Sequence, residues 1–585
     1  MLNIKICFLL AGWLVAASGI AKTMYVSPLG TNDITGNFPD WAGAATTISA
    51  AVAKAVSTDV IYVTNAVYTL STAISIASNI TVSSWRDGVQ DPTNTIIDGN
   101  GVAGGFYINS SNAMVCGFTI TNGNGQGGDV RHGGGVEIDS NGGILSNCIV
   151  VGNYANLRGG GVMLGSSTGL VTDCKIYANV LTNTGSQGAD VGGGGVHNMG
   201  GTVRNCTIWN NTVQFTGNVP GGGGVFLRSD GIVSGCVISN NIATNSSSGG
   251  GVLLYSGGVL ISNVITDNRT YLLDDTYYGG GGVFIDAPAN NKAIMSACVV
   301  SNNYTFGSGG GIAIYHTTTG TGGYITNCTV VNNTTRYRGG GIFCRSTGNA
   351  VYYTIKNCVI RANSAIGTSE NYPGGGVALV SAGTLQDSFI SGNISSNDGA
   401  GILLTVQVGT LKPLIRNCQI NANTASLNGG GVVVGWASSG TSTGIIDNCT
   451  IAMNVVTQAS GRGGGIYFYG DAVTISNSII YFNSAADGPN WRANAGAKTF
   501  DYSCTTPTNL VANANNIEGD PKFTDTNAAN FRLTSASPCI NKGANQSWMD
   551  GAVDLDGRSR IDRLSGLVDM GAYEFLVEGT LFTVR

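Results

Sequence analysis

Charge is what this sequence has least of. Asp, Glu, Lys and Arg together make up 10% of the 585 residues, and the 28 basic residues fall short of the 33 acidic ones. Without a basic excess to neutralise a phosphate backbone, nucleic acid is excluded as a partner. Long apolar runs are scarce as well. Beyond the first 21 residues no stretch approaches the roughly 20 residues that cross a bilayer, so no transmembrane helix is expected. No segment carries a helix-length amphipathic pattern, which leaves leucine-rich, ankyrin and tetratricopeptide arrays without support. The glycine runs are not followed by Gly-Lys-Ser/Thr, so they are turn glycines and not phosphate loops.

What the chain does have is 90 glycines and a hydrophobic fraction of 42%. Glycine with few charges fits a flexible polymer, but that apolar fraction is enough to build a core. The length exceeds a single globular core, so several domains or a repeat array is expected. At the N-terminus, Met1-Leu-Asn-Ile-Lys5 precedes an apolar run from Ile6 to Ala17 and then Ser18-Gly19-Ile20-Ala21. This pattern describes a secretory signal over 1–21, cut after Ala21, and an exported mature chain at an extracellular or bacterial outer surface.

Two phrases alternate between residues 133 and 483. One is a glycine triplet followed by Val or Ile, as in Gly159-Gly160-Gly161-Val162 and Gly339-Gly340-Gly341-Ile342. The other is Asn-Cys-x-Ile/Val-x-x-Asn, as in Asn205-Cys206-Thr207-Ile208 with Asn211 and Asn357-Cys358-Val359-Ile360 with Asn363. Copies recur every 26 to 35 residues, the period of a solenoid. Apolar residues alternate within each copy, giving strands with one buried face. Three short strands joined by turns fill one coil, so the fold expected is an all-β, right-handed parallel β-helix. At ~4.8 Å per coil, about 12 to 13 coils make a rod of roughly 60 Å.

The second Asn of the phrase recurs at 153, 179, 211, 241, 268, 303, 333, 363, 393, 423, 454 and 483. Asparagine tolerates the left-handed conformation of a tight corner, and its amide can bond its copy one coil away, so an internal ladder is expected. Cysteines 148, 174, 206, 236, 298, 328, 358, 418 and 449 share one inward slot. In-register Cβ atoms ~4.8 Å apart exceed the usual ~3.8 Å of a disulfide, so buried thiols acting as small hydrophobes are expected there. Without Cys7 the mature chain keeps 13 cysteines (14 − 1), of which Cys504 and Cys539, outside the ladder, are the better disulfide candidates.

Before the repeats, Met24–Pro28, Val60–Val63, Ile80–Val82 and Thr95–Ile97 read as strands and Thr47–Val56 as a short helix covering the open first coil. This order resembles the N-terminal entry of the pectin lyase-like superfamily of right-handed β-helices, over nearly all the chain up to about residue 485. The repeats resemble polymorphic outer membrane protein repeats, with Ile or Val in place of the aromatic before x-x-Asn and no membrane barrel at the end. Asp520-Pro-Lys-Phe523, Phe531-Arg-Leu533, Ser537-Pro-Cys-Ile540, Asp554-Leu-Asp-Gly557, Arg560 and Val568-Asp569-Met-Gly571-Ala-Tyr-Glu574 are similar to the choice-of-anchor Q module that follows secreted bacterial β-helices. The resulting division is 22–100 for the N-terminal cap and first coils, 101–485 for the repeats, 486–575 for the C-terminal module and 576–585 for a tail. Asp554 and Asp556 are candidates for a calcium site, set against a plain turn in a folded cap; no other cofactor or metal set is read.

Chemistry is sought on the strand after each glycine triplet, which has two outward positions per coil. The first reads Glu137, Met163, His197, Phe226, Leu253, Phe284, Ala313, Phe343; the second reads Asp139, Gly165, Met199, Arg228, Tyr255, Asp286, Tyr315, Arg345. Aromatic faces beside fixed charges suit a sugar chain. Phe226, Arg228, Tyr255, Phe284, Tyr315 and Phe343 are therefore the expected binding residues, for a polysaccharide or cell-surface glycan, in a monomer. The bland alternative is packing aromatics and coil-bridging charges. Loops 183–191, 269–278 and 364–373 are expected as walls carrying Asp190, Asp274, Asp275 and Glu370. The function read is an exported adhesin, glycan-binding rod or envelope component. The alternative is a polysaccharide lyase or glycoside hydrolase using Asp286, Asp274, Asp275 and Arg345, while His197 is read as a surface residue.

Overall fold

The computed structural model describes residues 21–86, 88–125, 132–183, 191–215, 221–244, 249–271, 279–286, 293–316, 322–346, 353–367, 374–381, 383–405, 412–435, 443–470, 472–494, 498–508 and 513–575. Residues 1–20 of the segment read as a secretory signal and the tail 576–585 lie outside them.

One coil explains the rest. After Gly280, Gly281 and Gly282 the chain forms strands Val283–Asp286, Ala293–Ser296, Val299–Ser301 and Tyr304–Thr305. Each pairs in parallel and in register with its copy in the next coil, Val283 with Ile312, Ile294 with Tyr324, Val299 with Thr329 and Tyr304 with Thr334. Stacking gives four parallel ladders of 15, 17, 16 and 11 strands, a β-solenoid of about 11 turns that carry all four. The fourth strand departs from the three expected. It arises because the chain leaves the ladder Asn extended and buries one more residue, such as Thr305 or Ala365, before the next loop.

Alternation places Val283, Ile285, Met295 and Val300 inside the tube, where they are almost fully buried. Burial of each such side chain contributes about 1.5–3 kcal/mol, and the repeat sums this along the rod.

The asparagines form one continuous column. Asn211 Nδ2 donates to Asn241 Oδ1 at 3.0 Å and to the Ile176 carbonyl of the preceding coil at 3.0 Å, while the backbone N–H of Asn211 also reaches Asn241 Oδ1 at 3.0 Å. The same contacts run from Asn153 to Asn483 and end on Asn490. Each buried amide is thereby satisfied, as a dry interior demands. The left-handed residue, however, is the one before the ladder Asn, for instance Asn210 (φ 53) or Ala362 (φ 54), and a second left-handed corner precedes the Cys slot, as at Asn357 (φ 52). The ladder Asn side chain therefore closes a corner whose strained conformation its neighbour adopts.

The cysteine slot is more than apolar. Each ladder Sγ donates to the carbonyl two residues earlier, at 3.2 Å for Cys148 and 3.1 Å for Cys418. The slot side chain also accepts a corner N–H from the preceding coil: Cys236 Sγ from Cys206 at 3.4 Å, Asn263 Oδ1 from Cys236 at 2.9 Å, Ser388 Oγ from Cys358 at 3.0 Å. Asn263, Ser388 and Ser478 replace cysteine because they supply the same acceptor. Burial pushes the Cys344 thiol up to about 12, and all 13 described cysteines are buried free thiols.

At one end the helix Ile48–Val52, N-capped by Thr47, packs on the first strands and buries Ile48 and Ala51 in the core. At the other, residues beyond 505 fold back over the outer face of the last coils. Asn417 Nδ2 donates to the Val553 carbonyl, Trp548 Nε1 donates to buried Asp447, and Ala572 N donates to Thr450 Oγ1. Among the described residues no helix is long and apolar enough to cross a membrane.

Candidate functional site

The strands after the triplets align as the repeat requires. Arg228 pairs with Tyr255, Tyr255 with Asp286, Asp286 with Tyr315 and Tyr315 with Arg345. The second outward row is thus one line of alternating charge and ring, with all five side chains part-exposed. Arg345 lies with its guanidinium carbon 5.9 Å from the centre of the Tyr315 ring, and Tyr255 leans on Phe226 at 5.9 Å. Burial pushes the Asp286 carboxyl up to about 6, an unusual value for a group on an outer face.

The first outward row is placed differently from the expectation. Phe226, Phe284 and Phe343 are 0%, 2% and 1% exposed, and with Leu253, Ala313, Ala378, Leu403, Val433 and Tyr467 they form a second apolar cluster outside the tube. These phenylalanines therefore present no exposed stripe to a ligand. The cause lies in the glycine triplet. A Cβ on Gly280 would stand 1.8 Å from the Val283 carbonyl oxygen and 2.9 Å from Phe284 N. Only a bare backbone folds that tightly, and in doing so it lays the residue ahead of the triplet against the side chain five positions later. His132 N accordingly donates to Glu137 Oε2 at 3.1 Å, and the Gly192 carbonyl meets His197 Nδ1 at 3.0 Å.

His197 follows from the same geometry. It is fully buried and stacks on Phe226 at 4.5 Å and 6°, and burial depresses its pKa to about 3. It is neither the expected surface residue nor a group able to cycle protons near neutral pH.

Asp274 and Asp275, together with Asp190 and Glu370 of the expected walls, lie outside the described residues. Along the described row, Asp286 has Tyr255 and Tyr315 as its neighbours, and Arg345 stands two coils away, about 10 Å by coil spacing.

Sequence reasoning missed a third row, formed by the residue just ahead of each triplet. Towards the C-terminal end it reads Asp398, Asn428, Arg462 and Asp487, with Asn428 and Arg462 bridged to the next coil. Tyr469, in the second outward row, donates to Asp398 Oδ2 at 2.5 Å, and Asn428 Nδ2 donates to Asp398 Oδ1 at 3.0 Å. Arg492 pairs with Asp487 at 2.9 Å. The signal was present in the sequence: a polar residue recurs immediately before Gly339, Gly399, Gly429, Gly463 and Gly488. In the C-terminal module, Asp554 accepts the backbone N–H of Asp556, Arg558 and Glu574, all at 2.8 Å, and Asp556 takes both arms of Arg532 at 2.5 and 2.6 Å. Among the described residues no three His, Cys, Asp or Glu side chains gather in a way that could hold a metal.

A family model described as right handed beta helix region matches residues 213–360. No curated protein matches the chain. Among solved structures, pectate lyase Pel9A is similar over 95% of this chain and 97% of its own, at 13% identity and a TM-score of 0.23. The catalytic unit of a GH87 alpha-1,3-glucanase from Streptomyces thermodiastaticus strain HF3-3 is similar over 74% of this chain and 69% of its own, at 15% identity and a TM-score of 0.30. With the parallel registers above, the family match makes the coil a right-handed parallel β-helix.

Proposed function

We propose that this chain is an exported glycan-binding rod, acting as an adhesin or envelope component at the cell surface. The C-terminal residues would serve as the choice-of-anchor Q module they resemble. One observation carries the reading: the line Arg228, Tyr255, Asp286, Tyr315, Arg345, in which two part-exposed rings stand two coils apart between fixed charges. Aromatic faces take the apolar faces of sugar rings while the charges bond hydroxyls or carboxylates, and a rigid sheet holds them at a constant repeat. The buried phenylalanines support this line from beneath and do not touch the ligand.

A broad glycan panel probed with the full chain tests the reading. We expect retention of at least one polysaccharide without product release. The double variant Tyr255→Ala/Tyr315→Ala should weaken binding roughly thirty-fold, at about 1 kcal/mol per ring. Binding to no glycan, or binding that the double variant leaves unchanged, refutes it.

The polysaccharide lyase or glycoside hydrolase reading is favoured by one feature, the Asp286 carboxyl at about 6, close to where a general acid or base works best. It calls for release of reducing ends or unsaturated products that Asp286→Ala abolishes. A variant that loses turnover but keeps binding would establish the enzyme over the rod.

A further inference from the structure

Cys504 departs from the cysteine ladder. Its coil fills the ladder slot with Ser503, whose Oγ accepts the N–H of Ser478 at 3.3 Å. Successive residues of a strand face opposite sides, so Cys504, one position later, points outward. It pairs with Ile479 in the third ladder of strands, and there the C-terminal module covers it. Cys539 comes from that module, where its carbonyl accepts Met570 N at 3.1 Å. Cys504, Cys539, Ile479, Leu533 and Met570 form one buried cluster in which both cysteines are 0% exposed. Cys504 Sγ donates to the Gly519 carbonyl at 3.2 Å, and the neighbouring Cys539 thiol, with burial, holds its pKa far above the usual thiol range. Ladder cysteines are kept a coil apart, ~4.8 Å between Cβ atoms against the ~3.8 Å a disulfide prefers. Cys504 and Cys539 sit on separate segments and are under no such constraint.

We propose that Cys504 and Cys539 form a disulfide that fastens the C-terminal module to the last coil, while the ladder cysteines stay reduced. The oxidant is an exchangeable disulfide, either a small molecule such as oxidised glutathione or a dithiol oxidoreductase. One cysteine thiolate attacks it, forming a mixed disulfide and releasing one thiolate of the oxidant. The second cysteine thiolate then displaces the other, so the protein loses two electrons and two protons and the oxidant becomes its two thiols. Burial of both sulfurs in the docked module places this exchange before or during docking. The bond pins the module that covers the outer face of the last coils.

The mature full-length chain, refolded in a glutathione redox buffer, is denatured, alkylated with N-ethylmaleimide and mapped by mass spectrometry. We expect 11 of the 13 cysteines alkylated (13 − 2) and a cross-linked peptide joining Cys504 to Cys539, with all 13 alkylated after dithiothreitol. Proteolysis between residues 505 and 575 should run at least ten-fold faster in the reduced protein, and Cys539→Ser should reproduce that rate whatever the redox buffer. Thirteen alkylated cysteines in the oxidatively refolded chain, or cross-links within the ladder instead, overturn the proposal.

Discussion

Removing a single ladder amide tests the solenoid most directly. In the middle of the column, Asn363 Oδ1 accepts the backbone N–H of Asn333 at 3.0 Å and its Nδ2 at 2.9 Å. Its own Nδ2 donates to Asn393 Oδ1 at 3.0 Å and to the Val330 carbonyl at 2.9 Å. In Asn363→Ala the Asn333 amide keeps the Val300 and Val331 carbonyls, and Asn393 keeps the backbone N–H of Asn363. The backbone N–H of Asn333 loses its acceptor in a dry core, and Val330 loses a donor. An orphaned buried N–H costs about 2 kcal/mol and a lost hydrogen bond about 1, so a local destabilisation of about 3 kcal/mol is expected. Each coil contacts only its neighbours, and a long repeat array need not unfold in one step, so the loss stays local. Hydrogen exchange read by mass spectrometry should show amides of residues 325–395 exchanging roughly a hundred-fold faster, with the coils around Asn179 unchanged. An acceleration under three-fold, or one spread evenly along the rod, refutes the argument.

Two more predictions concern buried charge. His197 has its pKa depressed by burial from an unfolded value near 6.5 to about 3, so its contribution to stability is complete above pH 6.5 and is lost as pH falls towards 3. The slot accepts phenylalanine in three other coils, so His197→Phe should fold and should lose about 3 kcal/mol less than the parent between pH 7 and pH 4; equal acid sensitivity in denaturant titrations refutes this. In the C-terminal module, fully buried Arg560 meets Glu574 at 3.0 Å and donates to the Gly571 carbonyl at 2.8 Å, while burial pushes the Glu574 carboxyl up and the Arg560 guanidinium pulls it back down. Arg560→Met should destabilise the module by about 3 kcal/mol, and adding Glu574→Gln should restore part of it; strictly additive losses in limited proteolysis would show that the two do not act as a pair.

The winding was legible because one side chain needs copies of itself. An amide that donates and accepts is satisfied in a dry column only by the same amide one coil on, so Asn211, Asn241 and Asn268 had to recur, and their spacing reports the coil length. Register followed, and with it the line from Arg228 to Arg345. Exposure was not legible, because alternation tells which side of a strand a residue faces and not what lies over that side. At Phe226 part of the cover is the backbone of Gly192, where a Cβ would stand 2.5 Å from the ring, and backbone leaves no side-chain pattern to read. It does leave a consequence. A row that faces outward yet reads Leu253, Ala313, Ala378, Leu403, Val433 has the composition of an interior, whereas the neighbouring row reads Arg228, Tyr255, Asp286, Tyr315, Arg345 and has that of a surface. Composition compared between parallel rows, one coil per letter, separates a covered face from a free one in a β-helix. By that measure the part-exposed face here is the second row from Arg228 to Arg345, and under the proposed function contact with a ligand would fall to its two tyrosines and their flanking charges.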